Sequence, residues 1–133
     1  MTAKAPSERS ARDTDPRDAA LTESFLVSLS LEHGFSGHTL AAYEHDIVRY
    51  REFLGARGVT VESASPRHIS AFVCLQVEIG LAPPSVNRSL SAVRSFYRHL
   101  VREGVLADSP AGAIPRAVTT RRLPRASPAG SLP

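Results

Sequence analysis

Apolar residues recur along this chain at helical spacing in four blocks, separated by short joints marked by glycine, proline or serine. The sharpest block runs from Pro84 to Arg102. At ~100° per residue, Val86, Leu90, Val93, Phe96, Tyr97, Leu100 and Val101 fall in one arc. Asn87, Ser91, Arg94, Arg98 and Arg102 lie opposite, with Arg88, Ser95 and His99 on the flank. An earlier block places Leu40, Tyr43, Ile47, Tyr50 and Leu54 at alternating spacings of three and four, with Phe53 widening the stripe. Ser36 is a suitable N-cap for that helix, and Gly55 and Gly58 bracket its stop.

The remaining two blocks complete a four-helix pattern. A first helix is expected from Leu21 or Thr22 to His33, with Phe25, Leu26, Leu29 and Leu31 inward and Gly34 as its stop. Ser65-Pro66 predicts a cap and first helical position for the third, which runs to about Gly80. It buries Ile69, Phe72, Val73 and either Val77 or Leu75. Ala82-Pro83-Pro84 is a rigid turn into the fourth helix, which ends near Gly104. No segment alternates with period two, so the expected class is all-α, a compact four-helix bundle.

Composition sets the boundaries around that bundle. Residues 1–20 lack apolar periodicity and read as a flexible arm, 21–110 as the domain, and 111–133 as an extended linker. Cys74 has no second cysteine to pair with, which fits a reducing compartment. There is no secretory h-region after Met1 and no run approaching a membrane span, so a cytoplasmic location is expected. Charge is unevenly spread. Residues 21–109 hold eight arginines against nine carboxylates, whereas Arg116, Arg121, Arg122 and Arg125 stand in the tail with no acid.

The basic character therefore sits on one helix face and in the tail. The fourth-helix face carries Arg88, Arg94, Arg98 and Arg102 with no carboxylate before Glu103. Solvated faces usually mix signs, because opposite charges at i, i+4 add local stability. Arginine forks suit phosphate oxygens, and Asn and Ser can reach bases or phosphates. Taken alone, the pattern fits a polyanion-binding face and a basic solvated face equally well.

Two longer motifs carry a resemblance. Ser36-Gly37-His38-Thr39-Leu40-Ala41-Ala42-Tyr43-Glu44-His45-Asp46-Ile47 resembles the S-x-x-T-x-x-x-Y-x-x-D-[LI] run of tyrosine recombinases. Ser85-Val86-Asn87-Arg88-Ser89-Leu90-Ser91-Ala92-Val93-Arg94-Ser95-Phe96-Tyr97 is similar to their T-x-N-R-x-L-S-A-L-R-x-F-Y segment. Asp108-Ser109-Pro110-Ala111 resembles the N-P-A that closes the same domain, the N-terminal core-binding, SAM-like domain of phage-integrase and Xer-type recombinases. The resemblance implies an orthogonal SAM-like bundle lying across one face of duplex DNA, with a separate C-terminal domain performing strand exchange. It implies DNA-facing second and fourth helices, with His38, Thr39, Ser85, Asn87, Arg88, Ser91, Arg94 and Arg98 as contacts. On that reading Arg88→Ala weakens DNA binding and spares thermal stability.

What the resemblance does not bring is chemistry. The family's Arg, Lys, His and Tyr catalytic constellation belongs to the C-terminal domain. Arg121-Arg122-Leu123-Pro124-Arg125 resembles the linker toward it, but prolines and glycine in 127–133 deny the helix expected next. Tyr43, Tyr50 and Tyr97 fall within helices without activating partners, and Tyr43 and Tyr97 lie on apolar stripes. The five histidines and Cys74 lack metal-ligand spacing, and Glu44 and Asp46 cannot face the same way. No catalytic residue, metal, cofactor or small-molecule substrate is expected, and Asp46 is expected in a structural hydrogen bond or ion pair. The leading expectation is a duplex-DNA-binding half of a site-specific recombinase, with recombinase protomers as further partners. The alternative is a helical module that modulates a full-length recombinase. A helix-turn-helix regulator ranks third, because Ala82-Pro83-Pro84 does not suit its short turn.

Overall fold

The computed structural model describes residues 15–112, so the remainder of the expected arm and nearly all of the expected linker lie outside the described residues. Four helices follow in order: α1 Pro16–His33, α2 Gly37–Gly55, α3 Pro66–Glu78 and α4 Pro83–Arg102. No strand occurs among the described residues, and the fold is an all-α SAM-like bundle.

Each helix starts and stops on local chemistry. Asp15 caps α1, its carboxylate accepting from the Arg17 N–H at 2.8 Å and the Asp18 N–H at 3.3 Å, with Pro16 opening the helix. Gly34 closes it in the left-handed region at φ 62°. The Ser36 side chain accepts from the Thr39 N–H at 3.2 Å to start α2. At α3 the Ser65 N–H donates to His68 Nδ1 at 3.0 Å, and Pro66 opens the helix. The Gly34, Ser36 and Ser65-Pro66 joints are the ones the sequence predicts.

The start of α1 differs. It begins at Pro16 rather than at Leu21 or Thr22, so residues 16–20, expected in the arm, are helical. The inward row of α1 is Asp18, Thr22, Phe25 and Leu29, and its first two members are polar. They carry no hydrophobic signal, which hides the first turn from periodicity. Leu31 points outward at 80% exposure, because it sits two residues, about 200°, from the buried Leu29. On α3 the inward choice is Val77, while Leu75 is largely outward.

The helices meet around an aromatic centre. Phe25, Ile47, Tyr50, Leu54, Ile69, Phe72, Leu90, Phe96, Tyr97 and Leu100 are all buried there, and Val61 and Ala64 seal it from the α2–α3 loop. Each such side chain contributes ~1.5–3 kcal/mol on burial. Phe25 meets Phe96 edge-on at 5.4 Å, and Tyr50 meets Phe72 edge-on at 5.2 Å. The Tyr50 hydroxyl donates to the Tyr97 oxygen at 2.7 Å, and Tyr97 donates onward to the Val61 carbonyl at 2.7 Å. This relay ties α2, α4 and the loop together inside the core, and it satisfies both phenols.

Candidate nucleic-acid interface

The start of α2 is built to leave positive potential uncovered. Ser36 takes the Thr39 N–H, and its hydroxyl lies 3.1 Å from the Thr39 hydroxyl. The first turn holds no acid. The N–H groups of Gly37 and His38 have no partner among the described residues, and the His38 side chain is exposed beside them. Free N–H groups and an uncompensated helix dipole attract anions there.

The start of α4 is different. Pro83 and Pro84 have no N–H, and the N–H groups of Ser85 and Val86 both donate to the Ala82 carbonyl, at 2.9 and 3.1 Å. Backbone donors at this end are therefore absent or used. The expectation that Ser85, Asn87 and Arg88 meet phosphate at a helix start has no backbone help, and only side chains can act there.

The polar side of α4 divides into two rows with separate duties. A flank row binds the neighbouring helices. Arg88 forks onto Asp46 of α2, Nε to Oδ2 at 2.8 Å and NH2 to Oδ1 at 3.1 Å. His99 Nε2 lies 2.9 Å from Ser24 Oγ of α1, and Arg102 reaches Glu32 of α1 at 2.9 Å. An outer row, Asn87, Ser91, Arg94 and Arg98, runs along the helix at spacings of four, three and four. Arg94 donates to the Ala111 carbonyl at 2.9 Å, and exposed Arg98 contacts Ser95 Oγ at 3.2 Å.

Two corrections follow. His99, expected on the polar flank, is buried at 5% exposure, and burial lowers its pKa from the ordinary imidazole value. Arg88 is not a free cation. The side chain of Asp46 is 1% exposed, and the hydrogen bond and charge of that carboxylate raise the Arg88 pKa. Arg88→Ala would leave an enclosed carboxylate without its cation, and a lower melting temperature is expected of it, read by thermal denaturation. The ion pair expected of Asp46 is present. Its signal is its position between Tyr43, Ile47 and Tyr50 on the apolar stripe of α2, where a carboxylate needs a partner.

The tyrosines are structural. Tyr50 and Tyr97 are fully enclosed, and burial pushes both phenols well above the ordinary range. Tyr43 lies 6.4 Å from Phe25 in a stacked arrangement and meets Phe35 edge-on at 5.6 Å. No group of three His, Cys, Asp or Glu residues able to hold a metal occurs among the described residues. No described helix is long and apolar enough to cross a membrane.

The four-helix bundle thus carries a row of arginines on α4 and an acid-free first turn on α2. Residues 22–104 match the phage integrase N-terminal SAM-like domain, and the chain belongs to that family. Its relatives are tyrosine recombinases. It is 44% identical over 98 residues to the tyrosine recombinase XerD of Agrobacterium fabrum, covering 74% of this chain and 30% of that protein. Against XerD of Chlorobaculum tepidum the identity is 41% over 102 residues, 77% of this chain and 34% of that protein. Against the tyrosine recombinase XerC of Xanthomonas campestris pv. campestris it is 35% over 135 residues, 94% of this chain and 42% of that protein. The chain thus spans about a third of the length of these XerD relatives. No solved structure matches it.

Proposed function

We propose that this chain binds duplex DNA as the core-binding half of a site-specific tyrosine recombinase and contributes no strand-exchange chemistry of its own. The observation that carries this reading is the outer row of α4, where exposed Arg98 and half-buried Arg94 stand on a helix with no carboxylate before Glu103. His38 and Thr39 at the start of α2 supply a second phosphate contact region, and Asn87 and Ser91 supply groups that reach base edges or phosphate. Enclosure of Tyr50 and Tyr97 removes the two most deeply placed phenols as nucleophiles. Binding is then mainly electrostatic. With ~4–6 phosphate contacts, log affinity falls with log salt at roughly −0.9 per contact. Fluorescence anisotropy on a labelled duplex between low and physiological salt tests this, and affinity that ignores salt, or no binding at low salt, rejects it.

A second reading, a helical module that modulates a full-length recombinase, has one supporting observation. Val27 and Leu31 on α1 and Ile79, just past α3, are apolar and more than half exposed. Under that reading the chain elutes with a recombinase but does not shift a duplex alone.

A further inference from the structure

We propose that Arg88 and Asp46 form a positioning pair that fixes the N-terminal half of α4 against α2 and so sets how the outer row of α4 meets DNA. Arg88 then acts through Asp46 rather than on phosphate. This inference rests on the DNA-binding reading above.

The geometry supports it at several points. Both contacts run in parallel, Nε to one carboxylate oxygen and NH2 to the other, so the fork fixes direction as well as distance. The Asp46 side chain is 1% exposed while that of Arg88 is 43% exposed, so the pair sits at the seam with its carboxylate sealed inward. Asp46 lies mid-way along α2, and Arg88 lies in the second turn of α4. That end of α4 enters through Pro83-Pro84 and has no side-chain cap. The Arg88–Asp46 fork is the salt bridge that ties these first two turns to α2. At the far end, Arg102 on Glu32 and His99 on Ser24 fasten the same flank to α1. The helix is thus tied along one flank at both ends.

The pair separates from a direct phosphate contact by the sign and slope of its mutational effects. Removing an acid near DNA strengthens binding if only charge matters, whereas losing a positioning carboxylate weakens it. Duplex affinity is measured by anisotropy across a salt series for the wild type, Asp46→Asn, Arg88→Ala, Arg88→Lys and Arg98→Ala, with folding checked by circular dichroism. The expected result is weaker binding for Asp46→Asn and Arg88→Ala with the salt slope of the wild type. Arg98→Ala, by contrast, loses roughly 0.9 from that slope. Arg88→Lys keeps the cation but not the fork, and is expected to bind several-fold more weakly. Tighter binding by Asp46→Asn, a shallower slope for Arg88→Ala, or wild-type affinity in Arg88→Lys overturns the positioning role while leaving the DNA reading intact. If Arg88→Ala is unfolded at the assay temperature, the lysine variant decides. A wild-type chain that shows no salt-dependent binding rejects both readings.

Discussion

At the scale of single residues, the buried polar groups set the chain's response to pH and to conservative substitution. Asp18 is 5% exposed, with Oδ2 accepting the Val61 N–H at 3.3 Å and Oδ1 without a partner. Burial raises its pKa above the ordinary carboxylate value. A raised folded pKa means that the folded state holds its proton more tightly, so this group favours folding at low pH and loses that contribution as pH rises through the folded pKa. At pH 7 the charge is a cost, and Asp18→Asn is expected to raise the melting temperature there, with the gain disappearing near pH 4. A lower melting temperature at pH 7 places the charge in service to Arg51 instead. His99 runs the other way. Its folded pKa is depressed by burial, so its contribution is complete above the unfolded imidazole value and is lost as pH falls below it. Replacing His99 with Gln is expected to flatten the loss of stability between pH 7 and pH 5, read from urea midpoints. Tyr97→Phe strands the Tyr50 hydroxyl and the Val61 carbonyl together, an expected cost of ~1–3 kcal/mol.

At the scale of elements, what was legible in the sequence is what periodicity and capping encode. The stripe of α2, the apolar arc of α4, the Ser36 cap and the Ser65-Pro66 start all stand where spacing puts them. Ser36→Ala removes the acceptor of the Thr39 N–H and is expected to cost ~0.5–2 kcal/mol, measured by thermal denaturation. Periodicity failed where polar residues are buried. Asp18 and Thr22 hid the first turn of α1, and Gln76 and His99 lie inside although their side chains read as surface. The candidate site was legible to the same degree. The sequence places all the arginines of α4 on one side of the helix, but angles alone cannot tell a cation that faces water from one that faces a carboxylate on another helix. Arg88 and Arg98 look alike in the sequence, and only the tertiary partner of Arg88, forty-two residues away, distinguishes them.

At the scale of the whole molecule, the bundle and its charge distribution point the same way. The core closes within the described residues, ending on Ala111, which is 1% exposed. Arg94 holds the Ala111 carbonyl, so the last described residues lie beside the outer row of α4, at a cleft that Arg94, Arg98, Asp108 and Gly112 help to line. Residues 113–133 then add Arg116, Arg121, Arg122 and Arg125 and no acid. Joined to the DNA contacts proposed for α4, these arginines would add to the electrostatic part of binding. A chain ended after Gly112 is expected to keep the melting temperature of the full chain, because it retains every core residue of the described bundle through Ala111. Its duplex binding is expected to weaken, with the salt slope shallower by roughly 0.9 for each tail arginine that had met a phosphate. An unchanged slope would confine DNA contact to the bundle itself. A lower melting temperature would show that the tail packs against the domain rather than against DNA.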